Sequence, residues 1–244
     1  MNTPTTSPEK TGLGRGEWLF VILLVSIGLI YAGWTGYRSL FGTDTKKPQP
    51  EKNVAAEAQQ WLRSKKAAPL SAPLQQLLDE AKQHPVQTMT HPLLGKPAPD
   101  LTLADHRGKT WHLRELLHQG PVMLVFYYGY HCDHCVSQLF GLNEDLAKFT
   151  ELGTTVIAVS EDPPALTAER FRQYGDFRFP VLSDPGNKMA AIYGVYKPPQ
   201  GGAEKELLHG TFLIAPSGTV TWANYGDEPF IDNRTLLLEL SKLK

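Results

Sequence analysis

Residues 18–34 form one apolar run without a charge, Trp-Leu-Phe-Val-Ile-Leu-Leu-Val-Ser-Ile-Gly-Leu-Ile-Tyr-Ala-Gly-Trp. At about 17 residues it is near the shortest stretch that crosses a hydrocarbon core as a helix. Trp18, Tyr31, Trp34 and Tyr37 mark its two ends, where amphipathic rings favour the interface. No small-x-small cleavage site closes the run, so residues 18–37 are expected to form an uncleaved transmembrane anchor. The Thr/Pro/Gly-rich stretch 1–17 before it reads as a disordered tail. Residues 38–94 after it read as a linker, with Pro48 and Pro50 among charges. Two short helical patterns lie within that stretch, over 54–65 and over 73–83, the second with Ser71 as N-cap. They could form a stalk or an extension packed on the following domain.

From Gly95 the pattern changes to alternating strand and helix signals, which predicts an α/β domain over 95–244. The short runs 101–103 and 110–112 flank the turn His106-Arg107-Gly108-Lys109, a hairpin. Residues 122–128 (Val-Met-Leu-Val-Phe-Tyr-Tyr) are continuously apolar, as a central strand buried on both faces would be. Helical spacing then runs over 133–149, and 154–160 is a second buried strand. A helix over 164–174 with an early proline, a strand over 179–182 and a short helix over 187–193 follow. The strands 211–215 and 219–224 flank Pro216-Ser217-Gly218, and a helix over 234–243 closes the chain.

The formal net charge of −1 gives no electrostatic reason to expect nucleic acid as a partner. Lys10 and Arg15 precede the apolar run, while Arg38, Lys46 and Lys47 follow it, so the positive-inside count leans against an N-in orientation. A short tail before a single apolar helix behaves as a signal-anchor, and on that basis the C-terminal domain is placed outside the cytoplasm.

The chain has two cysteines, both in Cys132-Asp133-His134-Cys135 at the end of the 122–128 run. A strand feeding a helix would set both thiols on the helix's first turn. There, unpaired N–H groups and the macrodipole stabilise a thiolate, the species that exchanges disulfides. A bridge this local gains little from loop closure, so a reactive role outweighs a structural one. Cys132 is the expected nucleophile and Cys135, one turn on, the resolving thiol. A protonated His134 would stabilise the thiolate and raise the reduction potential, whereas the Asp133 carboxylate would oppose it. Haem attachment is excluded because Val136, not His, follows Cys135.

The order of elements, with CxxC after the first long strand, resembles the thioredoxin superfamily, and more closely its redoxin branch. That branch holds the membrane-anchored TlpA/ResA-like thiol-disulfide oxidoreductases and the AhpC/TSA peroxiredoxins. The likeness rests on Gly95-Lys-Pro-Ala-Pro-Asp-Leu-Thr-Leu103, on Leu124-Val-Phe-Tyr-Tyr-Gly-Tyr-His-Cys132 and on Val156-Ile-Ala-Val-Ser160. Phe179-Pro-Val-Leu-Ser-Asp-Pro185, Tyr193-Gly-Val195 and Gly210-Thr-Phe-Leu-Ile214 extend it. It implies a thioredoxin-like fold, a central mixed sheet flanked by helices, preceded here by the single transmembrane helix. It also implies disulfide exchange with protein dithiol or disulfide substrates and a membrane electron donor or acceptor. The domain would stand on the extracytoplasmic (periplasmic) side of the plasma (inner) membrane, with no cofactor beyond the redox disulfide. Peroxiredoxins carry Thr three residues before the attacking Cys and Pro four residues earlier still; here Gly129 and Val125 stand in those positions.

His131, Asp133, His134, Tyr130 and His209 are the expected pKa-tuning or partner-binding residues around Cys132 and Cys135. Tyr127, Tyr128 and Tyr130 also suit packing at the strand end, and His209 suits a packed or surface position equally well. The competing class is metal handling, since His131, Cys132, His134 and Cys135 crowd soft or borderline ligands into five residues. Copper-assembly proteins of the Sco type resemble this chain in fold and in Gly129-Tyr130, which would make Cys132, Cys135 and His209 the ligands. Their cysteines, however, are spaced CxxxC. His84, His91, His106, His112 and His118 show no ligand spacing and read as solvated surface.

Overall fold

A computed structural model describes residues 52–200 and 204–243, with Ser26, Ile27 and Leu29 of the N-terminal segment. The expected tail 1–17, all but those three residues of the expected anchor 18–37, and residues 38–51 lie outside the described residues. Among the described residues no helix is long and apolar enough to cross a membrane. Lys52–Lys244 forms one compact unit.

The unit opens with two helices, α1 (Val54–Ser64) and α2 (Leu74–Ala81). The side chain of Asn53 caps α1 by accepting from the Ala56 N–H at 3.0 Å. The expected Ser71 cap of α2 is corrected: Pro73 occupies the N-cap, with no side-chain hydrogen bond. Both helices bury an apolar stripe (Val54, Ala58 and Leu62; Leu77 and Ala81), so this stretch is a packed extension and not a stalk.

The hairpin β1 (Thr102–Asp105) and β2 (Thr110–His112) follows as expected. A short helix α3 (Leu113–Leu117), absent from the sequence expectations, leads into β3 (Val122–Phe126). Next come α4 (Ser137–Glu144), α5 (Leu146–Glu151), β4 (Thr155–Ser160) and α6 (Pro164–Tyr174). Then β5 (Val181–Ser183), α7 (Lys188–Ile192) and a two-residue pair, β6 (Tyr196–Lys197) with β7 (Glu206–Leu207). The chain closes with β8 (His209–Ile214), β9 (Val220–Gly226) and α8 (Asn233–Ser241).

The main sheet has seven strands in the order β2-β1-β5-β4-β3-β8-β9. β3, β4 and β5 are parallel; β1, β8 and β9 are antiparallel to their neighbours. Every residue of β3 is buried, and alternate side chains enter two different cores. Met123 and Val125 pack with Leu139, Leu142, Phe149 and Leu237 of the helices on one face. Val122, Leu124 and Phe126 pack with Leu113, Leu116 and Ala190 on the other. That two-sided burial is why the strand reads as an unbroken apolar run.

The single helix expected over 133–149 is corrected to two, broken at Asp145 (φ −93°, ψ 7°). The break has a cause. The buried Asp145 carboxylate accepts from the Leu70 N–H at 2.7 Å and from Asn233 Nδ2 at 2.7 Å. It thereby ties the N-terminal extension and the last helix to the domain. Asp145→Ala would leave the Leu70 N–H unpaired and take one of two acceptors from Asn233 Nδ2, which also donates to Gly141 O at 3.1 Å, and a loss of about 1–3 kcal/mol in urea unfolding is expected. An unchanged midpoint would show that the three segments hold without it.

Candidate active site

β3 and β4 end side by side, and residues 127–136 leave β3 at that edge. The Tyr127 N–H still donates to Val159 O at 3.1 Å, after which the chain turns away. Gly129 has φ +105°, and a Cβ there would lie 2.6 Å from Asp162 Oδ1. The Tyr130 N–H donates to Asp162 Oδ2 at 2.8 Å. A buried carboxylate just past β4 therefore fixes the loop that carries the cysteines. Burial pushes its carboxyl pKa up, and the hydrogen bond from the Tyr130 N–H opposes that rise.

Cys132 and Cys135 are joined in a disulfide with Cα atoms 5.2 Å apart. The motif is a turn preceding α4, a correction to the expectation that it forms the helix's own first turn. Val136 N–H donates to Cys132 O at 3.3 Å and Ser137 N–H to His134 O at 3.1 Å, so α4 starts only at Ser137. Cys132 is partly exposed and Cys135 is fully buried. The His134 ring lies against both sulfurs, with Nδ1 3.4 Å from Cys132 Sγ and Nε2 3.7 Å from Cys135 Sγ. Asp133 is paired with Lys52 Nζ at 3.0 Å, and that hydrogen bond holds its carboxyl below the usual range. His131 is exposed.

Two other expected site residues are buried. Tyr130 is 2% exposed and packs against Tyr127, Phe171 and Phe177, so it belongs to the core beneath the loop and not to a partner surface. Burial pushes its phenol pKa up. His209 is 2% exposed, stacked on Tyr128 with ring centroids 4.4 Å apart. Neither of its ring nitrogens has a hydrogen-bond partner among the described residues. Burial, followed by the charge of His134, pushes its pKa down to about 3. A surface position for His209 is thus excluded. His91 is buried as well, set edge-on between Phe212 and Tyr225, and His106 packs edge-on against Phe171; neither is the solvated histidine expected.

Sulfur and nitrogen atoms of Cys132, His134 and Cys135 lie within 4.8 Å of one another, and this trio could hold a metal ion once reduced. The third member is His134; His209, the ligand suggested by the Sco likeness, is not in the group. Sequence reasoning missed Asp162, Lys52 and Trp61, whose ring lies 6.2 Å from that of His134. Lys52 and Asp133 are 81 positions apart, so no local spacing could have signalled the pair.

Gly129→Ala should cost about 1–3 kcal/mol, since it combines a strained positive φ with a close contact to a buried, hydrogen-bonded carboxylate; urea unfolding reads it, and a neutral effect would contradict the contact. The second expectation concerns acid. His209 is held neutral in the fold but titrates near 6.5 when free. Its contribution to stability is therefore present above pH 6.5 and lost as pH falls from there towards 3. His209→Phe, which keeps the stack on Tyr128, should flatten that loss in a series of melts at different pH. Parallel curves for the two proteins would contradict it.

The AhpC/TSA family matches residues 94–223. Thiol-disulfide oxidoreductase ResA of Bacillus thuringiensis (strain Al Hakam) is 30% identical over 136 residues, 55% of this chain and 71% of that protein. ResA of Bacillus anthracis is likewise 30% identical over 136 residues, with the same two coverages of 55% and 71%. The crystal structure of peroxidoxin BcpB from Mycobacterium tuberculosis superposes with a TM-score of 0.56 at 25% identity, covering 63% of this chain and 99% of that one. With its α/β sheet, its disulfide and this match, the chain belongs to the AhpC/TSA family and is a thioredoxin-like CxxC oxidoreductase.

Proposed function

We propose that this protein is a membrane-tethered thiol-disulfide oxidoreductase that exchanges the Cys132–Cys135 disulfide with protein partners outside the cytoplasm. The observation that carries the reading is the asymmetry of the pair: Cys132 is partly exposed and Cys135 is buried within one disulfide at the strand end. An incoming nucleophile can reach only the first sulfur. The ResA relatives support the choice of protein dithiols and disulfides as substrates. Residues 18–37 supply the tether, near membrane-bound donors or acceptors of electrons.

In the reducing direction the Cys132 thiolate attacks a partner disulfide, forming a mixed disulfide and expelling one partner thiolate. Cys135 then attacks Cys132 Sγ, closing the internal disulfide and releasing the second partner thiol. Two electrons and two protons pass to the partner in total. The oxidising direction runs through the same intermediate in reverse. His134 is placed to donate a hydrogen bond to the Cys132 thiolate.

Peroxide reduction is the weaker alternative. Peroxiredoxins place a threonine where Gly129 stands, and here a Cβ would strike the Asp162 carboxylate. A second reading, soft-metal binding, draws support from the grouping of Cys132, His134 and Cys135. Those ligands become available only after reduction.

Cys132→Ser should abolish exchange, measured as insulin or glutathione-disulfide reduction, while Cys135→Ser should accumulate mixed disulfides visible on non-reducing gels. Exchange that persists in Cys132→Ser, or mixed disulfides that accumulate there and not in Cys135→Ser, would remove the assigned roles. Hydrogen peroxide should be consumed at a small fraction of the disulfide-exchange rate; a peroxidase rate exceeding it would favour the alternative.

A further inference from the structure

The helix that precedes the family's own span, α1, reaches the redox motif at two points. Lys52, just before α1, sets its ammonium 3.0 Å from Asp133 Oδ1 and 3.1 Å from Glu57 Oε2. Its carbonyl accepts from Tyr174 Oη at 2.8 Å, so the residue is anchored to α6 by its backbone as well as by its side chain. One face of α1 is locked into the core through Val54, Ala58 and Leu62. That fixes Trp61, whose ring faces His134 at 6.2 Å and a 31° tilt, with Lys65 Nζ 5.0 Å from the centre of the Trp61 ring. His134 in turn touches both sulfurs.

We propose, resting on the disulfide-exchange reading above, that Lys52 and Trp61 are positioning residues of the redox site. Lys52 offsets the Asp133 carboxylate beside Cys132, and Trp61 holds the His134 ring against the sulfurs. The logic is electrostatic. Reduction converts a neutral disulfide into a pair that carries negative charge at Cys132. An unopposed Asp133 carboxylate disfavours that state, while the Lys52 ammonium and a hydrogen-bonded His134 favour it. The balance therefore shifts towards the dithiol when both are in place. Residues 52–64 lie outside the family match over 94–223, so this control belongs to this chain's own extension.

The test uses the full chain equilibrated in glutathione buffers at one pH, with the dithiol fraction read as alkylated mass. Lys52→Gln should shift the equilibrium towards the disulfide by about two- to fivefold at low ionic strength, the size of an exposed ion pair. The shift should shrink in molar salt, where the screening length is only about 3 Å. Lys52→Arg should restore it, and Lys52→Gln should do little in an Asp133→Asn background. Trp61→Ala should move the equilibrium in the same direction, and Trp61→Phe should restore it. Indole emission should also change on reduction, because the sulfurs and His134 quench a neighbouring ring, and Trp61→Phe should remove most of that change. A merely structural role would give no salt-dependent shift. A reversible wild-type couple with unaltered equilibria in Lys52→Gln and Trp61→Ala overturns this inference alone. A wild-type pair that never equilibrates with glutathione overturns the exchange reading together with it.

Discussion

The rest of the architecture depends on burying β3 from both sides. Its five residues divide their side chains between two cores, and its edges are taken by β4, in parallel, and β8, in antiparallel register. A strand held in this way cannot slide, because a shift of one residue would exchange the two sets of packing side chains. The end of β3 is consequently a fixed point. The chain that leaves it, residues 127–136, inherits that precision without regular structure of its own. The beginning of β8 is fixed by the same register, with Gly210 opposite Phe126, and it brings His209 to the same edge.

Around that edge the polar groups set the chemistry. Asp162 spends its buried carboxylate on the Tyr130 N–H and on close contact with Gly129, so the loop has a single shape. Gly129 also lacks the side-chain hydroxyl that a peroxide pocket of the peroxiredoxin kind would need, and the contact leaves no room for one. What remains at the surface is one accessible sulfur, a histidine against it and an acid paired with a lysine from outside the family's span. On the proposed reading, that constellation serves transfer between sulfurs. Beneath it His209 is buried and stacked on Tyr128, and its ring nitrogens have no hydrogen-bond partner among the described residues.

The sequence made the strands legible where burial is two-sided and the helices legible where their apolar stripes are regular; the bounds of α6 coincide with expectation. The CxxC motif was legible because chemistry fixes its spacing. Three things were hidden for physical reasons. The break at Asp145 depends on donors from Leu70 and Asn233, far away along the chain, which no helical periodicity reveals. The burial of His209 and Tyr130 follows from strand register and loop course, not from residue type. Lys52 and Trp61 belong to a stretch whose proline and charges suggested a linker, and only tertiary packing brings them to the motif.

The most direct test of the account is a redox titration of the protein in glutathione buffers, followed by alkylation and mass measurement. Reversible, concerted gain of two alkyl groups is the predicted result, with a midpoint in the range from about −270 to −120 mV spanned by thioredoxin-fold reductants and oxidants. Thiols that remain unreactive until a chelator is added would contradict it and transfer the site to metal chemistry.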